Sequence, residues 1–179
     1  MKKALLFLIS FTSISLAINA QTESSKSALP ISFSLGAEVG FPVGNNVAEY
    51  SAIFGGTAQA EFKFANKLGV TGRIGYLNYS YKTVFSKGNL GFVPVLAGLK
   101  YYISPRAFIF LQAGAAFGLT SITDAQNAIY LNKGTFFAYS PGVGHKFGKH
   151  LDAEFKFLGL SNSNHQHINS FGLRLGYTF

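Results

Sequence analysis

The sequence predicts an all-β chain, an eight-stranded antiparallel up-and-down transmembrane β-barrel. Three observations predict it. Apolar residues recur at a period of two along most of the chain. The eight stretches that show this period are joined by short and long connections in strict alternation. Residues of the opposite parity carry charges of both signs, and these fall on the same face of every stretch.

The elements follow in chain order. Residues 1–20, MKKALLFLISFTSISLAINA, have the layout of a secretory signal peptide. Lys2 and Lys3 precede an apolar stretch, and small residues stand at Ala17 and Ala20. Ser and Thr interrupt that stretch, and it is short for a membrane-spanning helix. Cleavage after Ala20 is expected. It would leave 13 of the 15 Lys and Arg against seven acids, about +6. Residues 21–30, QTESSKSALP, read as a flexible periplasmic leader. The barrel is expected over 31–179, with strands at 31–43, 52–64, 68–79, 91–103, 106–119, 134–147, 151–160 and 168–179. The strand at 170–179 shows the pattern well: Phe171, Leu173, Leu175, Tyr177 and Phe179 alternate with Ser170, Gly172, Arg174, Gly176 and Thr178.

Three connections are tight: Ala65-Asn66-Lys67, Ser104-Pro105 and Gly148-Lys149-His150. The longer ones lie around 44–51, 80–90, 120–133 and 161–167. In an up-and-down sheet the tight turns then gather at one end and the long loops at the other. Strands of about ten residues suit a tilted crossing of a bilayer.

Composition agrees. Hydrophobic residues make up 48% and charged residues 12%, where soluble domains carry about a quarter charged. Mean hydropathy is +0.24. Such a chain buries too much apolar surface to be disordered. With no Cys, disulfides, thiolate metal sites, cysteine nucleophiles and a lipid-modified cysteine are excluded. Past residue 30 no run of 18 apolar, uncharged residues occurs, so crossing by helices is not expected.

The face that carries charge holds Glu38, Glu61, Lys63, Arg73, Lys100, Lys146, Asp152, Glu154, Lys156 and Arg174. A soluble barrel would put these outside and enclose an apolar cavity. A membrane barrel inverts the arrangement. The mixed signs favour the inverted form, because the charges can neutralise one another in a narrow interior. Glu38, Glu61, Asp152 and Glu154 are expected to pair with Arg73, Lys100, Lys156 and Arg174 and plug the lumen. Gly36, Gly75, Gly98, Gly114, Gly142 and Gly172 lie on this face and leave room for long side chains. Aromatics fall near the strand ends, Tyr101, Phe147, Tyr177 and Phe179 towards the tight turns and Tyr76, Phe117, Phe137 and Tyr139 towards the loops. They read as two interfacial girdles. Pro94 and Pro141 fall inside strands, where bulges or shifted strand ends are expected. His145 has lipid-facing parity, which suits only an interfacial position.

The chain resembles the small outer-membrane β-barrel domains of Gram-negative bacteria, of the eight-stranded, porin-like or surface-antigen type common in Bacteroidetes. The likeness rests on VPVLAGLKYY from Val93, YSPGVG from Tyr139, LDAEFKF from Leu151 and the final GLRLGYTF from Gly172. The resemblance implies an outer-membrane location. It also implies contact with outer-membrane lipids and lipopolysaccharide, and an assembly signal read by the outer-membrane assembly machinery. That signal would be Leu173, Leu175, Tyr177 and Phe179. The implied role is structural or surface-interactive: envelope integrity, adhesion, or binding of a surface ligand or envelope protein through the loops. Tyr79, Tyr81, Phe85, Tyr130 and Phe136 are the expected loop contacts. A narrow channel for small solutes or ions is the alternative, and a soluble periplasmic binding barrel stands further back.

Catalysis is not expected, nor is a cofactor. Some barrels of this kind are lipid A deacylases, which resemble Ser-His-acid hydrolases. Their pattern sets His and Ser two apart on one strand face, whereas His167 and Ser170 are three apart on opposite faces, with no orienting acid following. His165 and His167 can point the same way, but no third metal ligand stands near, and a solvated loop accounts for them. Nucleic acid is not an expected partner. The bases interleave with acids, with no basic run and no stacking motif. Lys67, Arg106 and Lys149, near the tight turns, can meet anionic groups on the periplasmic side.

Overall fold

Successive side chains on a strand point to opposite faces, so alternation gives each stretch one apolar and one mixed face. Closing the sheet satisfies every backbone edge inside a bilayer. The computed structural model describes residues 31–44, 50–81, 87–123, 129–130, 134–163 and 167–179. The signal peptide and leader expected over 1–30 lie outside the described residues.

The strands are β1 (Ile31–Val43), β2 (Tyr50–Ala65), β3 (Leu68–Tyr81), β4 (Lys87–Tyr102), β5 (Ala107–Thr123), β6 (Ile129–Tyr130), β7 (Thr135–Phe147), β8 (Leu151–Ser161) and β9 (His167–Thr178). Every pairing is antiparallel. The order runs β4-β3-β2-β1-β9-β8-β7-β5, and β4 pairs with β5 to close the barrel. The eight staves are those read from the sequence, with ends moved by four residues at most. β6 adds a two-residue pairing on β5 within a connection expected as loop. The closure of β1 on β9 sets Gly36 opposite Gly176 and Glu38 opposite Arg174.

The prolines behave differently from the expectation. Neither makes a bulge. Pairing between β3 and β4 lapses between Ile74↔Val95 and Leu77↔Phe92 and resumes in the same register, while Pro94 stays paired with Ala116 on β5. Pro141 likewise keeps Leu111 on β5, while β7–β8 pairing lapses between Tyr139↔Gly159 and Gly142↔Lys156. In an antiparallel strand the N–H and C=O of one residue face the same neighbour. A proline therefore weakens one ladder and leaves the other whole. The register shifts that do occur lie between β2 and β3, near Tyr50/Ala52 and Lys63/Ala65.

The outer face is apolar. Leu35, Val39, Ile74, Val95, Leu99, Leu111, Val143, Leu173 and Leu175 are all exposed. So are the girdle residues Tyr101, Phe147, Tyr177 and Phe179 at one end and Tyr76, Phe117, Phe137 and Tyr139 at the other. A continuous apolar surface of this kind is a lipid contact, not a water contact. The orientation excludes the soluble binding barrel, which needs this face inside. His145 also faces out. It pairs with Ala107 beside a tight turn, its ring 5.0 Å from that of Phe147, and so lies at the interface.

Candidate functional site

The lumen is the interior of the barrel, and its filling bears on what the molecule can do. Nearest the tight turns, Tyr102 of β4 packs on Phe108 of β5 (5.7 Å between centroids), and Phe108 on Phe110 (6.3 Å). Lys63 Nζ lies 4.2 Å and Lys146 Nζ 5.0 Å from the centre of the Tyr102 ring. Lys63 is thus partly buried at the mouth. Lys63, on the charged face read from the sequence as part of the lumen network, makes no salt bridge among the described residues and lies over the Tyr102 ring instead.

Above this layer lies a network of ions. Glu154 is its hub and is fully buried. Its Oε2 accepts from Arg73, and its Oε1 stands 3.8 Å from Lys100 Nζ and 3.9 Å from Arg174 Nη1. Lys100 also donates to Glu61 at 3.0 Å, and Tyr102 donates to the other oxygen of Glu61. Arg174 donates to Asp152 at 3.1 Å, to Thr57 at 2.9 Å and to Ser34 at 3.0 Å. Lys156 and Glu38 form a pair at 2.7 Å. Four acids meet four bases, all buried, so the network is neutral. Neutral glue surrounds it. Gln59 accepts from Arg73 Nε at 2.9 Å, and Gln112 donates to Thr71 at 2.8 Å.

Gly36 and Gly176, opposite each other on the adjacent strands β1 and β9, make the slot for the Arg174 guanidinium. A Cβ on Gly36 would lie 2.6 Å from Arg174 Cζ, and one on Gly176 would lie 2.8 Å from Asp152 Oδ1. Glycine is required there by close approach, not by backbone angle.

The loop-side half of the lumen differs. Inward positions there are Ile53, Leu77, Tyr79, Leu90, Phe92, Leu96, Ala116, Phe136, Ala138, Leu158, Leu160 and Ile168, one continuous buried cluster. Phe92 stands edge-on between Tyr79 (5.4 Å) and Phe136 (5.3 Å). Tyr79 OH reaches Ser170 at 3.4 Å, on the boundary with the polar half. This corrects two sequence expectations. The interior is not polar throughout, and Tyr79 and Phe136 are core residues rather than loop contacts. The side chains of Tyr81, Phe85 and Tyr130 lie outside the described residues.

The signal for both corrections was parity. Counting back by twos from Lys100 leads to Leu96, Phe92 and Leu90, and forward from Arg73 to Leu77 and Tyr79. Counting back from Lys146 leads to Ala138 and Phe136.

The residues weighed for chemistry do not converge. His167 is exposed on the outer face, whereas Ser170 faces inward with Tyr79 and the Leu158 carbonyl. His165 lies outside the described residues. Among the described residues no group of three or more His, Asp or Glu lies together as a metal site would need.

Solved structures with the same fold are small outer-membrane barrels. Ail, the attachment invasion locus protein of Yersinia pestis, superposes with a TM-score of 0.63 at 18% identity, covering 83% of this chain and 97% of its own. A second Ail structure, in complex with the heparin analogue sucrose octasulfate, gives 0.60 at 18% over the same shares. The N-terminal β-barrel domain of Pseudomonas aeruginosa OprF gives 0.60 at 15%, covering 83% of this chain and 97% of its own. Neisserial surface protein A gives 0.56 at 12%, covering 83% and 95%. No curated protein matches in sequence. The model of one family, described as the outer membrane protein beta-barrel domain, matches residues 5–179, and the chain belongs to that family and to the outer membrane.

Proposed function

We propose that this protein is a non-catalytic, non-conducting barrel that serves the envelope as a structural anchor and as a platform for surface contact. The observation that carries the reading is the filled lumen. Among the described residues, apolar side chains of the loop-side half and paired ions of the turn-side half are buried inside the barrel, which supports a lumen closed to solutes. An eight-stranded barrel is just wide enough for side chains to fill it. Function then falls to the outer rims and the long loops. Because the Ail structure with sucrose octasulfate shows a barrel of this fold with a sulfated sugar, sulfated glycans are the first surface ligands to try.

Purified full-length protein in a planar bilayer tests the reading. It should show no unitary conductance, while cells displaying it should bind surfaces in a way that exchange of the loops abolishes. Stable conductance steps would favour the narrow-channel reading instead. Altered lipid A on expression would revive catalysis.

Leu173, Leu175 and Tyr177 share the outer face of β9 and Phe179 follows directly after it, all exposed, which supports their reading as an assembly signal. Replacement of Phe179 by Ser should slow insertion by the assembly machinery in proteoliposomes, with little change in the stability of the inserted barrel. Equal insertion rates would refute the signal.

A further inference from the structure

Among the side chains that the structure describes, the charges left over from the lumen lie at the tight-turn end. The four described acids are buried and paired inside. At the tight-turn end the described residues carry five cations and no exposed acid. Lys67, Arg106 and Lys149 are exposed, one on each tight turn, and Lys63 and Lys146 ring the mouth on Tyr102. Each turn cation also stands beside outward apolar side chains. Phe64 precedes Lys67, Ile103 precedes Arg106, and Phe147 and Leu151 flank Lys149, all more than half exposed. The girdle of Tyr101, Tyr177 and Phe179 lies at the same level, and His150 stacks on Tyr177 with its ring held to the Thr178 carbonyl at 2.8 Å. This places the cations just outside the hydrocarbon, at the height of lipid head groups.

We propose that the tight-turn end is a collar for anionic phospholipids, with Lys67, Arg106 and Lys149 binding their phosphates while the adjoining apolar residues hold the acyl chains. The inference rests on that end lying on the periplasmic side, where the leaflet is phospholipid. A lysine or arginine at an anionic membrane surface contributes roughly one kcal/mol, and the attraction reaches about one Debye length, close to 10 Å at moderate salt. The mouth lysines add field of the same sign but point into the lumen opening, so they do not touch lipid. Neutralising them separates field from contact.

The test is electron spin resonance of spin-labelled lipids around the full-length barrel in phosphatidylcholine membranes. Labelled phosphatidylglycerol should associate about three- to fivefold more strongly than labelled phosphatidylcholine, and the preference should fade in about 1 M salt. The variant Lys67→Gln/Arg106→Gln/Lys149→Gln should bring the ratio to about one. The variant Lys63→Gln/Lys146→Gln should keep most of it. Boiled and unboiled gel mobility would confirm that each variant is folded, and single turn variants would serve if the triple one is not. Equal association of both lipids with the native protein overturns the proposal, as does full preference in the triple variant. Co-sedimentation with peptidoglycan that needs the turn cations, without lipid preference, would also overturn it and assign the collar to an anionic polymer.

Discussion

Arg73 and Tyr79 share one face of β3, yet they stand in different media. Arg73 is held by Gln59 and Glu154 among ions, while Tyr79 lies in a cluster of apolar side chains. The two halves of the lumen are filled by two different physical means. The loop-side half is packed like the core of a soluble protein, where contact density sets the energy. The turn-side half is held by ions that cannot reach water, where each charge depends on its partner. The apolar half tolerates imperfect fit at the cost of a cavity. The ionic half tolerates a change of shape better than a change of charge. The difference gives the protein a seal at one end and cross-barrel ties at the other.

The largest expected effect breaks the ionic half. Glu154→Gln keeps the shape but strips the hub of its charge, leaving Arg73, Lys100 and Arg174 short of one anion. Breaking a buried pair on one side costs about 3–5 kcal/mol. Urea unfolding from lipid vesicles should show it as a lowered midpoint, and an unchanged midpoint would mean that water already solvates the hub. The apolar half should lose somewhat less to an ordinary truncation. Leu77→Ala removes a side chain that is 2% exposed within the loop-side cluster, and about 3 kcal/mol is expected from transfer and cavity together. The same assay reads it. A loss below about 1 kcal/mol would show a loosely packed seal and would weaken the non-conducting reading.

A third pair of variants contrasts inside with outside on neighbouring staves. Gly36→Ala drives a Cβ into the Arg174 guanidinium, which is pinned by Thr57, Ser34 and Asp152. Gly56→Ala, on the lipid side, meets nothing nearer than the Gly36 carbonyl oxygen at 3.8 Å. The first should cost about 1–3 kcal/mol and the second about nothing. Equal costs would mean that Arg174 can leave its slot freely.

Much of this was legible in the sequence, for physical reasons. Alternation fixes the face of each residue, and the long-short rhythm of connections fixes the ends of the sheet. Charges of both signs at one parity marked the ion network before any contact was known, down to the eight partners from Glu38 to Arg174. What the pattern concealed was the apolar half of the lumen. There the inward and outward residues are both hydrophobic, as with Phe92 beside Val93, so alternation loses its contrast. Tyr79 and Phe136 fall near the loop-side ends of the expected strands 68–79 and 134–147, and nearness to an end does not tell a loop contact from a core residue; both have inward parity and are buried. Parity tells the face of Lys63 but not its depth, and Lys63 lies at the mouth over Tyr102 rather than among the ion pairs. Which acid meets which base across the lumen also depends on the register of closure between β1 and β9, which no local pattern encodes.

The smallest expected effect sharpens the border between the two halves. Ser140 faces inward on β7, fully buried, between Ala138 of the apolar cluster and Gly142 at the level of the ions. Its Oγ has no hydrogen-bond partner among the described residues. A buried hydroxyl without a partner contributes nothing that offsets its lost hydration. Ser140→Ala should therefore leave stability unchanged or raise it by up to about 1 kcal/mol. The opposite outcome, a loss of 1 kcal/mol or more in the same unfolding assay, would mean that the hydroxyl is bonded in the membrane. The polar half would then extend one residue further towards the loops, and the seal would be thinner by that layer.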